Sequence, residues 1–206
     1  MKALEYCITK WRVHVISMSL GILNEEPQGI VDVLQRARSL GIIVLASASN
    51  EGANHTISFP ATLDTVFCIG SADGKGSRSS FSPPFVGKEK YSALGEGVRG
   101  ALPLGKDPSG NLYIRKSGTS TATVVAAGIS ALLIDFTAQY LDKVKPEDNP
   151  INLRKIFLKM SEATEGEPYR FLSPKYLCTL SKDTARLIKT VVRNPARISL
   201  YFFVIC

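Results

Sequence analysis

Two short segments of the sequence carry groups that could bind a ligand or negative charge. In the first, Ser117–Gly128, a glycine precedes two hydroxyl residues and a run of small residues begins a helix. This arrangement predicts that Ser120 lies at the positive end of a helix dipole, where free backbone N–H groups can bind negative charge. A hydroxyl residue that merely caps a buried helix explains the segment equally well.

The second segment, Ala46–Gly52, follows directly after an apolar run that ends at Leu45. In open α/β sheets, ligands bind where the carboxyl ends of the strands meet. Asn50 would offer a side-chain amide donor at that edge. An asparagine that simply forms a turn is the alternative explanation.

Apolar, β-branched runs alternate with helical patterns along the first half of the chain, which predicts a parallel sheet with right-handed crossovers, an α/β layer structure. Residues 71–117 are rich in Gly, Ser and Pro, so we expect loops and short strands there. Strands are expected at 13–19, 42–46 and 65–70, and helices at 3–11, 29–40 (ended by Gly41), 119–140 and from Asn149 onward.

Composition is that of an ordinary globular protein. The 206 residues are 45% hydrophobic and 21% charged, values that exclude a largely disordered chain. No apolar run approaches the ~20 residues of a membrane span. The sequence has 25 basic and 18 acidic residues, and 12 of the basic and 7 of the acidic residues lie within 141–206. The surplus predicts a solvated basic tail and no nucleic-acid partner.

Several weaker signals bear on partners and location. The four cysteines are scattered, so buried or free thiols fit better than a zinc site or disulfides, and we expect no metal or cofactor. Gly95–Gly100 matches G-x-G-x-x-G, but a loop follows it instead of the helix of a dinucleotide site. The N-terminus resembles no signal peptide, which predicts an intracellular protein if Met1 is the true start. Lys182–Arg193 together with Ile198–Cys206 could form a terminal docking helix or lie on a membrane surface.

Taken together, the first two segments resemble the subtilisin-like serine proteases. Gly118-Thr119-Ser120 before a small-residue helix resembles the nucleophile segment of that family. Ser49-Asn50-Glu51-Gly52 resembles its oxyanion segment, usually Gly-Asn-Glu-Gly. Further segments that resemble the family occur in the same order at 16–21, 59–61, 66–71, 80–82 and 93–98. The resemblance spans about residues 3–136 and implies a subtilisin-like three-layer α/β fold with a parallel sheet.

The resemblance implies a serine endopeptidase that cleaves extended polypeptide through an acyl-enzyme. Ser120 would be the nucleophile, and the Asn50 side chain with the Ser120 backbone N–H would hold the oxyanion. Ser19, Leu20 and Gly21 would pair with the substrate backbone as an added strand. The pocket for the residue before the cut would be shaped by Ala48, Ser49, Phe59 and Pro60.

The motifs that carry the other two triad residues of the family do not occur in the sequence. The family order is Asp, His, Ser, yet neither Asp-Thr-Gly nor Asp-Ser-Gly nor His-Gly-Thr is found, and the two histidines, His14 and His55, match no family base. We therefore expect residues 1–174 to be a peptidase domain truncated at its N-terminal side and 175–206 to be a basic extension. Such a chain would have an open sheet edge and negligible activity alone. A non-catalytic pseudoprotease that binds peptides, or a gene fragment, is the alternative.

Overall fold

The computed structural model describes residues 1–52, 54–84, 90–102, 109–140, 149–163, 169–173 and 202–205, with the backbone alone at 136–140, 149–152 and 202–205. The described residues form four α-helices: α1 (Lys2–Tyr6, continued by a π-helical segment at Cys7–Trp11), α2 (Gln28–Ser39), α3 (Thr119–Tyr140) and α4 (Asn149–Met160). The strands are β1 (Val15–Met18), β2 (Ile43–Ser47), β3 (Phe67–Ala72), β4 (Lys90–Leu94), β5 (Val98–Ala101), β6 (Tyr113–Lys116), β7 (Ser161–Ala163), β8 (Tyr169–Leu172) and β9 (Phe202–Ile205).

A seven-stranded sheet runs through the middle of the fold in the order β7-β8-β4-β3-β2-β1-β9. All neighbouring strands are parallel except β7, which is antiparallel to β8. Strands β1, β2 and β3 are buried along their whole length, as expected for a parallel sheet that is covered on both faces.

Helices cover the sheet on both faces, because successive side chains of a strand point in opposite directions. Ile16 and Val44 belong to a buried cluster that includes residues of α1 and α2. Val15 and Ile43, their neighbours in sequence, pack in a second cluster with residues of α3 and α4. The three-layer α/β architecture predicted from the sequence is confirmed.

Helix α3 packs across the middle of the second face. Its small residues Ala122, Ala126 and Ala127 are buried against the sheet, and small side chains let the helix axis approach the strands closely. Gly41 follows α2 with φ of 78°, the left-handed conformation that glycine adopts readily after a helix.

The edge of the sheet is not at β1, because β9 follows it as the last strand in the order. Strand β9 pairs in parallel with β1, with Val15 opposite Phe202 and Met18 opposite Ile205. The last apolar run of the sequence therefore includes a sheet strand and is not a continuous docking helix. The basic stretch at 182–193 lies outside the described residues, as does the proposed boundary near residue 174.

Two of the four cysteines are described, and both Cys7 and Cys68 are buried free thiols. Burial raises the pKa of Cys68 to about 12, so this thiol stays protonated at neutral pH and is a poor nucleophile. Over the described part of the chain, no helix combines the length and apolarity needed to cross a bilayer.

Candidate active site

The predicted site residues come from three elements that meet at one edge of the sheet. The chain leaves β1 into Ser19–Gly21 and leaves β2 into Ala48–Gly52, and α3 begins beside them at Thr119. A cleft of about 210 Å³ lies at this junction. Six of the predicted residues line it: Ser19, Leu20, Gly21, Ser49, Asn50 and Ser120.

Thr119 anchors the Asn50 side chain. The Thr119 backbone N–H donates to Asn50 Oδ1 at 2.8 Å, and the Thr119 hydroxyl lies 3.0 Å from the same oxygen and 3.1 Å from the carbonyl oxygen of Ser49. The amide oxygen is thus occupied as an acceptor. The Nδ2 group makes no hydrogen bond to the described residues and is available as a donor.

The first turn of α3 supplies a second donor. The N–H groups of Thr121 and Ala122 both donate to the carbonyl oxygen of Gly118, each at 3.1 Å. The Ser120 N–H has no acceptor among the described residues. Free N–H groups are a general property of helix starts and carry the positive end of the helix dipole.

Both donors lie close to Gly118. A Cβ placed on Gly118 would lie 3.6 Å from both Nδ2 and Oδ1 of Asn50 and 3.8 Å from the backbone nitrogen of Ser120. Gly118 has φ of 154°, a conformation that other residues rarely adopt. Residues 50 and 120, seventy positions apart in sequence, are therefore brought together around a glycine that leaves room for a ligand atom.

Gly95 holds the turn before α3 in place. Its carbonyl oxygen accepts a hydrogen bond from the Gly118 N–H at 2.8 Å. A Cβ on Gly95 would lie 2.8 Å from the Gly118 carbonyl oxygen and 3.0 Å from the Ala122 Cβ. Only glycine allows this approach, so Gly95 supports the position of Ser120 from outside the cleft.

The predicted substrate edge lies beside the nucleophile. The Ser19 hydroxyl donates to the carbonyl oxygen of Ser120 at 3.3 Å. The backbone of 19–21 makes no hydrogen bond to other described backbone groups, whereas Ile22 and Phe59 form an isolated antiparallel bridge with N–H···O distances of 2.9 and 3.0 Å. The edge between β1 and this bridge is open to an added strand.

The predicted pocket residues fall into two groups. Ser49 lines the cleft with φ of 135°, where a side chain is strained. Ala48, Phe59 and Pro60 are buried and are not among the residues lining the cleft, so their role in a pocket stays a prediction. Ser58, whose N–H donates to the Ala48 carbonyl oxygen at 2.9 Å, lines the cleft instead.

No role was predicted for Thr119, Glu51 or Ser58, and all three line the cleft. The signal for Thr119 was its position directly before the nucleophile at a helix start, where hydroxyl and amide groups satisfy free N–H groups. No comparable signal marks Ser58, because its place depends on the close packing of Gly21 against it.

Neither histidine lies in the cleft. His14 precedes β1, so about five residues of extended chain, roughly 16 Å, separate it from Ser19. Its Nδ1 is buried without a hydrogen bond to the described residues. His55 lines a separate cavity of about 400 Å³ together with Asn54 and Lys90. Among the described residues that line the cleft there is no histidine or aspartate.

A family model described as the subtilase family matches residues 1–168 of the 206. The chain belongs to the subtilase family. Subtilisin DY from Bacillus licheniformis is 35% identical over 127 residues, which cover 58% of this chain and 42% of that protein. The subtilase chain thus spans less than half the length of this relative.

Solved structures show the same fold. The prenylagaramide maturation protease PagA aligns with a TM-score of 0.68 and 24% identity over 80% of this chain and 57% of its own. The PatG macrocyclase in complex with peptide aligns with a TM-score of 0.63 and 21% identity over 85% and 48%. Family and fold together confirm a domain of the subtilisin-like serine protease type.

Proposed function

We propose that this subtilase chain carries the nucleophile and the oxyanion hole of a serine endopeptidase that acts on extended polypeptide. The observation that supports this most strongly is the meeting of the Asn50 amide and the Ser120 N–H beside Gly118. An amide side chain and a helix-start N–H aimed at one spot are the donors needed where negative charge develops on a carbonyl oxygen.

In the proposed reaction, Ser120 Oγ forms a bond to the scissile carbonyl carbon while a base takes its proton. The oxygen of the tetrahedral intermediate then accepts hydrogen bonds from Asn50 Nδ2 and the Ser120 N–H. Collapse of the intermediate breaks the C–N bond and releases the amine as that base returns the proton. Water hydrolyses the acyl-enzyme by the same steps. Loss of one oxyanion donor should slow the reaction about 10²- to 10³-fold, the size of the effect in subtilisin itself.

The open backbone at Ser19–Gly21 would bind the substrate as an added strand and present its carbonyl to Ser120. Ser49 at the cleft, with Ala48, Phe59 and Pro60 behind it, would shape the pocket for the residue before the cut. The PatG macrocyclase was solved in complex with peptide, and its similar fold is consistent with peptide binding at this edge.

Proton transfer is the step for which the described cleft lacks the base of the family, and the carboxylate that lines it is that of Glu51. A serine hydroxyl needs a base within hydrogen-bond reach, and the described lining contains no histidine or aspartate. In subtilisin, loss of the histidine costs about 10⁶-fold in turnover. Without a base from elsewhere, this polypeptide should hydrolyse peptides negligibly. The division into a peptidase domain at 1–174 and a basic extension at 175–206 is part of the same proposal.

The test is labelling with a fluorophosphonate, which reacts with activated serines. We expect little labelling of the chain alone and strong labelling when the Asp- and His-bearing segment of an active subtilase precedes it. The label should map to Ser120 and disappear in Ser120→Ala. Ser80→Ala, which changes an exposed serine that is not among the residues lining the cleft, is the matched control and should be labelled normally. Labelling at another residue would reject the proposed nucleophile.

A non-catalytic peptide-binding module is the second candidate, favoured by the open Ser19–Gly21 edge beside a cleft whose described lining contains no histidine or aspartate. It predicts that the completed chain binds extended peptides but is not labelled. A proline at residue 20 removes a backbone donor, so Leu20→Pro should weaken binding more than Leu20→Ala. Equal affinities of the two variants would exclude binding along this edge.

A further inference from the structure

A small basic hairpin stands beside the nucleophile, outside the main sheet. Strands β5 and β6 pair only with each other, in antiparallel fashion. Every residue of β6 is exposed, and in β5 Val98 alone is half-buried. An isolated two-stranded ribbon is only marginally stable. Packing within the fold therefore does not explain why both strands are exposed.

The register places two arginines on one face of the hairpin. Arg99 lies directly opposite Arg115, and Ala101 lies opposite Tyr113. Side chains directly opposite each other on paired strands lie on the same face of the hairpin, and so do side chains two residues apart along one strand. The Arg99 guanidinium lies 4.3 Å from the centre of the Tyr113 ring, which confirms that these two side chains are on the same side.

Charge on this face is of one sign. This face carries Arg99 and Arg115, the two strands contain no acidic residue, and Lys116 lies opposite Val98 on the other face. Like charges directly opposite each other destabilise a strand pair, and an anion between them relieves that repulsion. Guanidinium groups bind carboxylates through paired hydrogen bonds. The exposed ring of Tyr113 offers apolar contact next to them.

The hairpin is tied to the active-site segment by chain and by hydrogen bonds. The Gly97 N–H donates to the Ser117 hydroxyl at 3.0 Å, and Arg115 Nη1 donates to the Gly97 carbonyl oxygen at 2.6 Å. Ser117 follows β6 directly and lies three residues before Ser120. Five residues of chain from Arg115 to Ser120 span at most about 17 Å. An extended peptide covers that distance in about five residues.

We propose that the hairpin face formed by Arg99, Tyr113 and Arg115 binds acidic side chains of the polypeptide whose carbonyl lies at Ser120. This inference rests on the proposed function and names its substrate class: extended chains with Asp or Glu within about five residues of the scissile bond. The contribution is electrostatic and exposed, so it should be lost at high salt.

The experiment measures binding of fluorescent peptides to the full chain by anisotropy. Three peptides share one extended core and differ in a flanking block of Glu, Gln or Lys. The Glu peptide should bind about three- to fivefold more tightly than the Gln peptide, as expected for exposed ion pairs. Arg99→Gln should remove that preference without changing affinity for the Gln peptide, and Arg99→Lys should keep part of it. Lys155→Gln, an exposed lysine on α4, is the matched control and should leave it unchanged.

Three results would overturn the proposal: no measurable binding of the Glu peptide, equal affinity for the Glu and Gln peptides, or an equal effect of Arg99→Gln and Lys155→Gln. A single-stranded oligonucleotide that displaces the Glu peptide at a lower concentration would assign the face to nucleic acid instead. Fluorophosphonate labelling of Ser120 in the completed chain is read separately. Labelling without a Glu preference would reject the hairpin inference alone, and a Glu preference without labelling would reject the nucleophile.

Discussion

Ser49 adopts a backbone conformation that suits glycine. Its φ is 135°, and a side chain in this region costs on the order of 1–3 kcal/mol. The hydroxyl accepts a hydrogen bond from the Glu51 N–H at 3.2 Å, a contact at the surface that offsets only part of this cost. The family segment has glycine at the corresponding position, and the strain gives a physical reason for that choice.

We predict that the free energy of unfolding of Ser49→Gly is about 1 kcal/mol higher than that of Ser49→Ala. Both variants lose the hydroxyl, but only glycine relieves the backbone strain. Urea denaturation measures the difference. The same pair of substitutions at Ser80, an exposed serine without positive φ, should give the opposite order. An alanine variant at residue 49 as stable as the glycine variant would show that no strain is held there.

Asn50 has two separable functions, since its oxygen accepts from Thr119 and its nitrogen is free. Asn50→Asp keeps the acceptor and removes the donor, so in the completed chain we expect fluorophosphonate labelling to slow about 10²-fold or more. Stability should change little. Thr119→Val keeps the N–H anchor and removes only the hydroxyl, so it should slow labelling by less than tenfold. Labelling stopped at fixed times measures the labelling rate, and denaturation measures stability. Equal labelling rates for Asn50→Asp and Thr119→Val would show that the oxygen and the nitrogen of Asn50 do not have separate functions.

The resemblance to the family implied that residues 50 and 120 meet, and the structure places both at one cleft. From the residues alone, Asn50 was assigned to the carboxyl edge of the sheet and Ser120 only to the start of a helix. The anchoring of Asn50 by Thr119 could not be predicted. It depends on ångström-level placement of a helix start against a loop, which periodicity does not encode.

Two glycines in the elements around the nucleophile have opposite effects on stability. Gly95 lets the β4 end approach Gly118 and Ala122, whereas Gly128 is exposed within α3 and no atom lies within 4 Å of a Cβ placed on it. The first is required by packing. The second costs helix stability because glycine loses more backbone freedom than alanine on folding.

Gly128→Ala should therefore raise the free energy of unfolding by about 0.5–1 kcal/mol. Gly95→Ala should lower it by about 1–3 kcal/mol, because a Cβ there forces the backbone of the nucleophile turn to move. Thermal and urea unfolding of both variants test the pair. A stabilised Gly95→Ala protein would mean that the turn before α3 is not tightly packed.

The elements themselves were predicted with unequal success, for physical reasons. The strand expected at 42–46 is β2 at Ile43–Ser47, and the helix expected at 119–140 is α3 with those bounds, because both have strong apolar patterns. Residues 71–117 were predicted only as loops and short strands. Within them β5 and β6 are exposed on both faces, so no alternation of apolar and polar residues marks where each begins.

For the whole molecule, the outer edge of β1 is closed by the chain's own last strand. Strand β9 pairs along the full length of β1, and unpaired strand edges otherwise recruit other chains. We expected an open edge because the strands that precede this part of the family domain are absent from the sequence, and the apolar run at 198–206 was interpreted as a docking helix or a membrane-surface segment because nothing local marks its partner strand. Such a pairing is visible only once the sheet is assembled.

Successive N–H groups of a strand point to opposite sides, so proline at both Phe203 and Val204 removes one donor to β1 whichever residue supplies it, and this double variant should break the pairing. We expect the variant to form larger species with rising concentration, measured by light scattering after size-exclusion chromatography. Val204→Thr, which keeps the donor and suits a strand, should elute like the unchanged chain. If both variants behave like the unchanged chain, β9 does not protect the edge.

We infer that the Asn50 amide and the Ser120 N–H bind one oxygen. A crystal structure of the completed chain with a phosphonate bound to Ser120 shows whether they do. We expect the phosphonyl oxygen at about 2.7–3.1 Å from both Asn50 Nδ2 and the Ser120 nitrogen, next to Gly118. An adduct whose oxygen points to solvent, with the Asn50 amide turned away from it, would rule out this oxyanion hole.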